Sequence, residues 1–168
     1  MREYTLLAFL TFVWIGCTGT QTGKESSSEK MELGWIQRSD FVTSPYPKFS
    51  ENYDTVHIGR DFIDMIKSLH EGVDIIVVMG TWCGDSKREV PRFLKIVDLA
   101  SIPARQIKFY GVDRTKKSSD GVTDRYKIDR VPTFIFFKRG KEIGRVVESP
   151  HNSLEEDMLS ILADSEGK

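Results

Sequence analysis

Cysteine is scarce in this sequence: Cys17 and Cys83 are the only two in 168 residues. So few exclude a disulfide framework. Histidine lacks pattern as well as number. His57, His70 and His151 are scattered without ligand spacing, so no metal site is expected from them. An excess of charge of one sign is also missing. Lys and Arg total 24 against 25 Asp and Glu, a net charge of −1. That leaves neither a basic field for nucleic acid nor an acidic tail. No internal repeat is evident, and no motif calls for a cofactor. What is present, 39% hydrophobic and 29% charged residues, is the composition of a soluble globular protein. The length suits one compact domain with something added at an end.

The N-terminus is that addition. Arg2 is followed by an apolar run from Tyr4 to Ile15, then by Gly16 and Cys17. The run has the length of a signal-peptide core and is too short for an ordinary spanning helix. The order of charge, apolar run, small residue and cysteine resembles a bacterial lipoprotein signal. In that family the cysteine is lipidated and becomes the first residue after cleavage. The resemblance implies that residues 1–16 are a signal peptide and that Cys17 carries the lipid. It places the chain in the cell envelope, anchored on the periplasmic side of a membrane. Two features depart from the pattern: Trp14 stands where Leu is usual, and Glu3 cancels the charge of Arg2. An uncleaved anchor, or secretion with cleavage elsewhere, are the alternatives. Residues 17–32 are polar and rich in Ser, Thr and Gly, the composition of a flexible tether. Residues 33–54 bring back aromatics around Pro45 and Pro47 and read as an N-terminal extension packed irregularly on the domain.

From residue 55 to 168 the pattern is that of an α/β domain. Thr55 to Ile58 suits a first strand. Asp61 can cap a helix whose apolar face is Phe62, Met65, Ile66 and Leu69, with Gly72 ending it. The run from Asp74 to Met79 is apolar and β-branched after its first residue, as in a strand covered on both faces. A helix from about Cys83 to Leu99 contains Pro91, which removes a backbone donor and is expected to kink it. Ile107 to Val112 reads as a strand and Asp120 to Tyr126 as a short helix. Thr133 to Phe137 and Glu142 to Val147 form a hairpin around Arg139-Gly140. Ser153 with Glu156 makes a capping box for a last helix. Parallel crossovers come first and a hairpin last, so a mixed central sheet between helices is expected.

Several of these residues together resemble the thioredoxin superfamily. Trp82-Cys83-Gly84 falls where a central strand meets a helix, Lys87 follows the motif, and Pro91 matches the proline inside the family's active-site helix. Downstream, Val131-Pro132-Thr133 before an apolar strand matches the family's cis-proline loop. The resemblance spans roughly Thr55 to Ala163 and implies the thioredoxin fold. It implies Cys83 as the reactive thiol, with Trp82, Val131 and Pro132 lining the groove that binds client proteins. Three departures stand out. Ser86 occupies the place of the resolving cysteine, Val77 the place of a buried aspartate that assists proton transfer, and Asp85 the place of the motif's proline.

One thiol limits the chemistry. A sulfur at the first turn of a helix faces unpaired N–H groups and the positive end of the helix dipole, which stabilise negative charge on it. Ser86 is expected to donate a hydrogen bond to that sulfur in place of the lost thiol. Lys87 assists and Asp85 opposes. Cys83 can form a mixed disulfide with a thiol- or disulfide-containing client, but release needs an external thiol reductant or a resolving partner. The sequence therefore supports a monothiol thiol–disulfide exchanger, or a thioredoxin-fold module that only holds clients. The pair Lys116-Lys117 and the pair Lys87-Arg88 read as solvated surface.

Overall fold

The computed structural model describes residues 30–43 and 45–165. The expected signal segment 1–16, Cys17 and the tether up to residue 29 lie outside the described residues. Five strands form one sheet: β1 (Gly34–Ile36), β2 (Val73–Met79), β3 (Ile107–Gly111), β4 (Thr133–Lys138) and β5 (Lys141–Val147), in the spatial order β1-β3-β2-β4-β5. The apolar run of β2 takes the centre, parallel to β3 and antiparallel to β4. β4 and β5 pair through a tight turn in which Arg139 and Gly140 both have positive φ, 53° and 76°. That is the geometry a two-residue hairpin needs.

The helices are α1 (Pro47–Thr55), α2 (Arg60–Leu69), α3 (Gly84–Leu99), the short α4 (Val122–Arg125) and α5 (Leu154–Asp164). Strand alternation divides the sheet into two faces. Val73, Ile75, Val77 and Met79 join a core with Phe49 of α1, Ile66 of α2, Phe93 of α3 and Met158 of α5. Ile76 and Val78 join a second cluster with Cys83, Tyr110, Val122 and Val131. One face is thus sealed by long helices, the other by α4 and the loops around it. Pro91 is buried inside α3. Ser153 caps α5 as expected, its hydroxyl accepting from the Glu156 amide at 3.3 Å.

The N-terminal part departs from expectation. Residues 55–58 form no strand. Pro47, with its φ preset, begins a helix that runs through Thr55 and buries Phe49. The first strand lies in the supposedly irregular extension instead, and it pairs antiparallel with β3, so among the described residues the only parallel pair is β2 with β3. A three-residue strand beginning at a glycine has too little alternation to show in a sequence. Asp61 is not the cap of α2: Gly59 is at that position, and Asp61 sits in the first turn.

The end of the expected tether is also held. The Tyr46 hydroxyl reaches the Lys30 carbonyl (2.9 Å) and the Glu32 carboxylate (3.1 Å), and the Glu32 amide faces the Thr81 hydroxyl at 3.4 Å. Gly111 passes directly under the Glu32 carbonyl and leaves no room for a Cβ. Further along, Arg38 grips Asp98 of α3 through two bonds of 2.7 Å, and the Tyr53 hydroxyl donates to the same carboxylate at 2.8 Å. Residues 32–38 therefore run from the end of the sheet that carries Thr81 to the far end of α3, and Asn52 of α1 comes back to its first turn, donating to the Lys87 carbonyl at 2.6 Å.

Candidate functional site at the start of α3

Cys83 is the N-cap of α3, with φ −80° and ψ 130°, so its backbone is still extended as β2 turns into the helix. Its amide donates to the Gly80 carbonyl at 2.9 Å and its carbonyl accepts from the Lys87 amide at 3.0 Å, closing the turn and starting the helix. The sulfur is held between β2 and the loop before β4. Its S–H donates to the Val131 carbonyl at 3.2 Å, and only 9% of the residue is exposed. The Val131–Pro132 peptide bond is cis. That loop is fixed from both sides: the Thr133 hydroxyl donates to the Arg130 carbonyl (2.7 Å) and the Glu148 amide to the Pro132 carbonyl (2.6 Å). The fold brings Trp82, Cys83, Val131 and Pro132 into one place.

Ser86 is positioned differently from expectation. It is fully buried, and its hydroxyl accepts from the Gly80 amide at 3.2 Å rather than bonding the Cys83 sulfur. The amide at the end of β2 would otherwise be a buried donor without a partner, and the first turn of α3 puts Ser86 within reach of it. Val77 is fully buried in the apolar core under the helices, so no titrating group stands there. Asp85 pairs with Arg88 at 2.8 Å. Arg88 also binds Glu89 (2.7 Å) and the Ser149 hydroxyl (3.1 Å), tying the first turns of α3 to the chain after β5.

Trp82 forms one wall. Its indole N–H donates to the Val112 carbonyl at 2.8 Å, and its ring lies so close to Gly80 that a Cβ there would collide with it. The guanidinium of Arg114 lies over the same ring, 4.9 Å from its centroid. Sequence reasoning missed Val112 and Arg114. They follow β3, the parallel neighbour of β2, so their place beside the end of β2 was open to inference once that pairing was assumed.

Two carboxylates near the helices show how burial is offset. Burial pulls the Asp98 carboxyl upward, but the bonds from Arg38 and Tyr53 outweigh it and leave it below the ordinary carboxylate value. Glu155 of α5 is likewise raised by burial and lowered further by Arg92, which binds it at 2.9 and 2.6 Å. A cavity of about 580 Å³ opens beside Arg38 and Asp98, but neither Trp82, Cys83, Val131 nor Pro132 lines it. Among the described residues no group of His, Cys, Asp or Glu could hold a metal ion. None of their helices is long and apolar enough to cross a membrane.

A mixed five-stranded sheet flanked by helices, with a cysteine at the strand-to-helix turn facing a cis-proline loop, defines a thioredoxin-fold protein. The chain belongs to the thioredoxin family, whose family model, described as Thioredoxin, matches residues 42–160. It is 30% identical over 100 residues to a protein named Thioredoxin-like protein R548 from Acanthamoeba polyphaga mimivirus, covering 60% of this chain and 70% of that one. It is 33% identical over 94 residues to the thioredoxin of Malassezia sympodialis, covering 55% of this chain and 86% of that one. Among solved structures, a Pseudomonas aeruginosa protein of unknown function shares the fold at a TM-score of 0.59 and 14% identity, over 79% of this chain and 93% of that one.

Proposed function

We propose that this is an exported, membrane-tethered member of the family that carries out thiol–disulfide exchange through Cys83 alone. The observation that carries the reading is the place of the sulfur, at the start of α3 and 3.2 Å from the Val131 carbonyl. A client segment laid in extended form along Val131 pairs with its backbone, and the client's disulfide then meets Cys83. The Cys83 thiolate attacks one client sulfur. The client S–S bond breaks, the second client sulfur departs as a thiolate, and a mixed disulfide remains on Cys83. Ser86 cannot resolve that intermediate, so an external thiol must attack it. Ser86 acts as a positioning residue, holding Gly80 and with it the turn that carries Trp82 and Cys83. The order of charge, apolar run and Cys17 supports export with a lipid anchor in the cell envelope; secretion is the alternative.

A second reading is favoured by one observation. The resting sulfur is nearly covered and already bonded to Val131, as it would be in a module that holds clients without turning them over. Cys83→Ala separates the two. Under exchange it abolishes covalent capture of envelope proteins and loses rescue in cells lacking the natural protein. Retained rescue would point to the holding module.

A further inference from the structure

Proline inside a helix deprives one carbonyl of its usual donor, and here another element supplies one. Pro91 lies inside α3 and has no amide hydrogen, so the regular helix bond to the carbonyl four residues earlier, that of Lys87, cannot form. The side-chain amide of Asn52, on α1, donates to that carbonyl at 2.6 Å. Asn52 is itself held in place. Its neighbour Tyr53 donates to Asp98 of α3 at 2.8 Å and carries the Lys95 ammonium 4.4 Å from its ring centroid. A helix of the N-terminal segment therefore replaces the hydrogen bond that Pro91 removes.

The place of that carbonyl links it to Cys83. The Lys87 amide donates to the Cys83 carbonyl at 3.0 Å, so Lys87 closes the first turn after the cysteine. The Lys87 carbonyl shares its peptide unit with the Arg88 amide, which in α-helical bonding donates to the Gly84 carbonyl. That carbonyl in turn shares its unit with the Asp85 amide at the helix start. Peptide units joined in this way polarise one another, and the first amides of α3 are the groups that can hold a thiolate. A donor at the Lys87 carbonyl thus strengthens an amide beside the cysteine.

We propose that Asn52 is a positioning residue for Cys83: its bond to the Lys87 carbonyl fixes and polarises the first turn of α3 and raises the reactivity of the sulfur. The inference rests on Cys83 being the reacting group. Asn52 is neutral, so replacing it with a neutral residue leaves the charges around the site as they are. Those are Asp85, Lys87 and Arg88 on α3, Arg114 after β3, Arg130 before the cis-proline and Glu148 after β5.

The test uses the full chain carrying Cys17→Ser, in which Cys83 is the sole thiol. Alkylation by iodoacetamide is followed by intact mass at neutral and at alkaline pH, alone and with Asn52→Ala, Pro91→Ala or both. Pro91→Ala returns the backbone amide, so the Lys87 carbonyl no longer needs Asn52. Asn52→Ala is expected to lower the ratio of the neutral to the alkaline rate about two- to five-fold in the natural background and to leave it unchanged in the Pro91→Ala background. A residue that only stabilised the fold would, on removal, expose the sulfur and speed both rates together. Asn52→Gln and Asn52→Leu, of similar bulk with and without the donor, decide the matter without touching Pro91, and the first is expected to keep the higher ratio. No fall in the natural background, the same fall in both backgrounds, or equal ratios for the last two variants overturns the proposal. Hydroxyethyl disulfide separates it from the exchange reading: a natural chain that alkylates but takes up no disulfide adduct overturns exchange and leaves the role of Asn52 standing. No alkylation at either pH overturns both.

Discussion

The two faces of the sheet are built for different work. Under α1, α2, α3 and α5 the residues facing the sheet are apolar and fully covered: Phe49, Ile66, Phe93, Phe134 and Phe136 have no exposed surface. On the other face the cover is α4 and the loops after β3 and before β4, and there the cluster admits a thiol and backbone carbonyls that bond side chains. β2 supplies both faces from the apolar run Ile75 to Met79. The face closed by loops presents Cys83 and Trp82 to whatever enters. Stability belongs to the first and the chemistry proposed for Cys83 to the second.

The sharpest way to break that division is to put a charge on the helical face. Val77→Asp would restore the acid that many thioredoxins have there, but here it sits among apolar side chains with no exposed surface. A loss of about 3–5 kcal/mol is expected in denaturant unfolding, from the missing apolar contact and the stranded carboxyl. A loss below about 1 kcal/mol would show that a polar group or water waits there. Gly111→Ala tests how the N-terminal segment is fastened, since its Cβ collides with the Glu32 carbonyl. It should cost about 1–3 kcal/mol and release residues 30–33 to faster amide exchange. Glu155→Gln weakens a paired carboxylate at the α3–α5 contact and should cost about 1–2 kcal/mol. The smallest effect is on acid stability. Asp98 and Glu155 both lie below the ordinary carboxylate value when folded. Their contribution is therefore complete above about pH 5 and is lost as pH falls through their folded values. Thermal melts should show the Asp98→Asn, Glu155→Gln double variant losing less stability than the natural chain over that range.

The site was more legible in the sequence than the N-terminal architecture. Trp82-Cys83-Gly84 at a strand end and Val131-Pro132 before another are local patterns, and the antiparallel pairing of β2 with β4, which sets Val78 opposite Thr133, brings them to one end of the sheet. The bond of Ser86 was not legible. A hydroxyl on the first turn of a helix has several donors and acceptors within reach, and only the path of β2 shows that the Gly80 amide needs it. β1 was missed because three residues carry almost no periodicity. Its antiparallel direction depends on where residues 30–33 cross Gly111, a long-range contact with no local signature. Arg114 was missed for a similar reason: a charged residue after a strand reads as solvent-facing until the ring beneath it is placed.

The most direct test of the division between a supporting face and a reacting one is the fate of a single mixed disulfide on Cys83. In the full chain carrying Cys17→Ser, Cys83 is the sole thiol. Hydroxyethyl disulfide is added, excess reagent removed, and the adduct followed by intact mass with and without a small thiol, beside the same chain carrying Ser86→Cys. The expected result is one adduct that persists until the small thiol is added, while the Ser86→Cys chain ejects it unaided. A Cys83 that stays unmodified, or an adduct that leaves the natural site equally fast without added thiol, would contradict it.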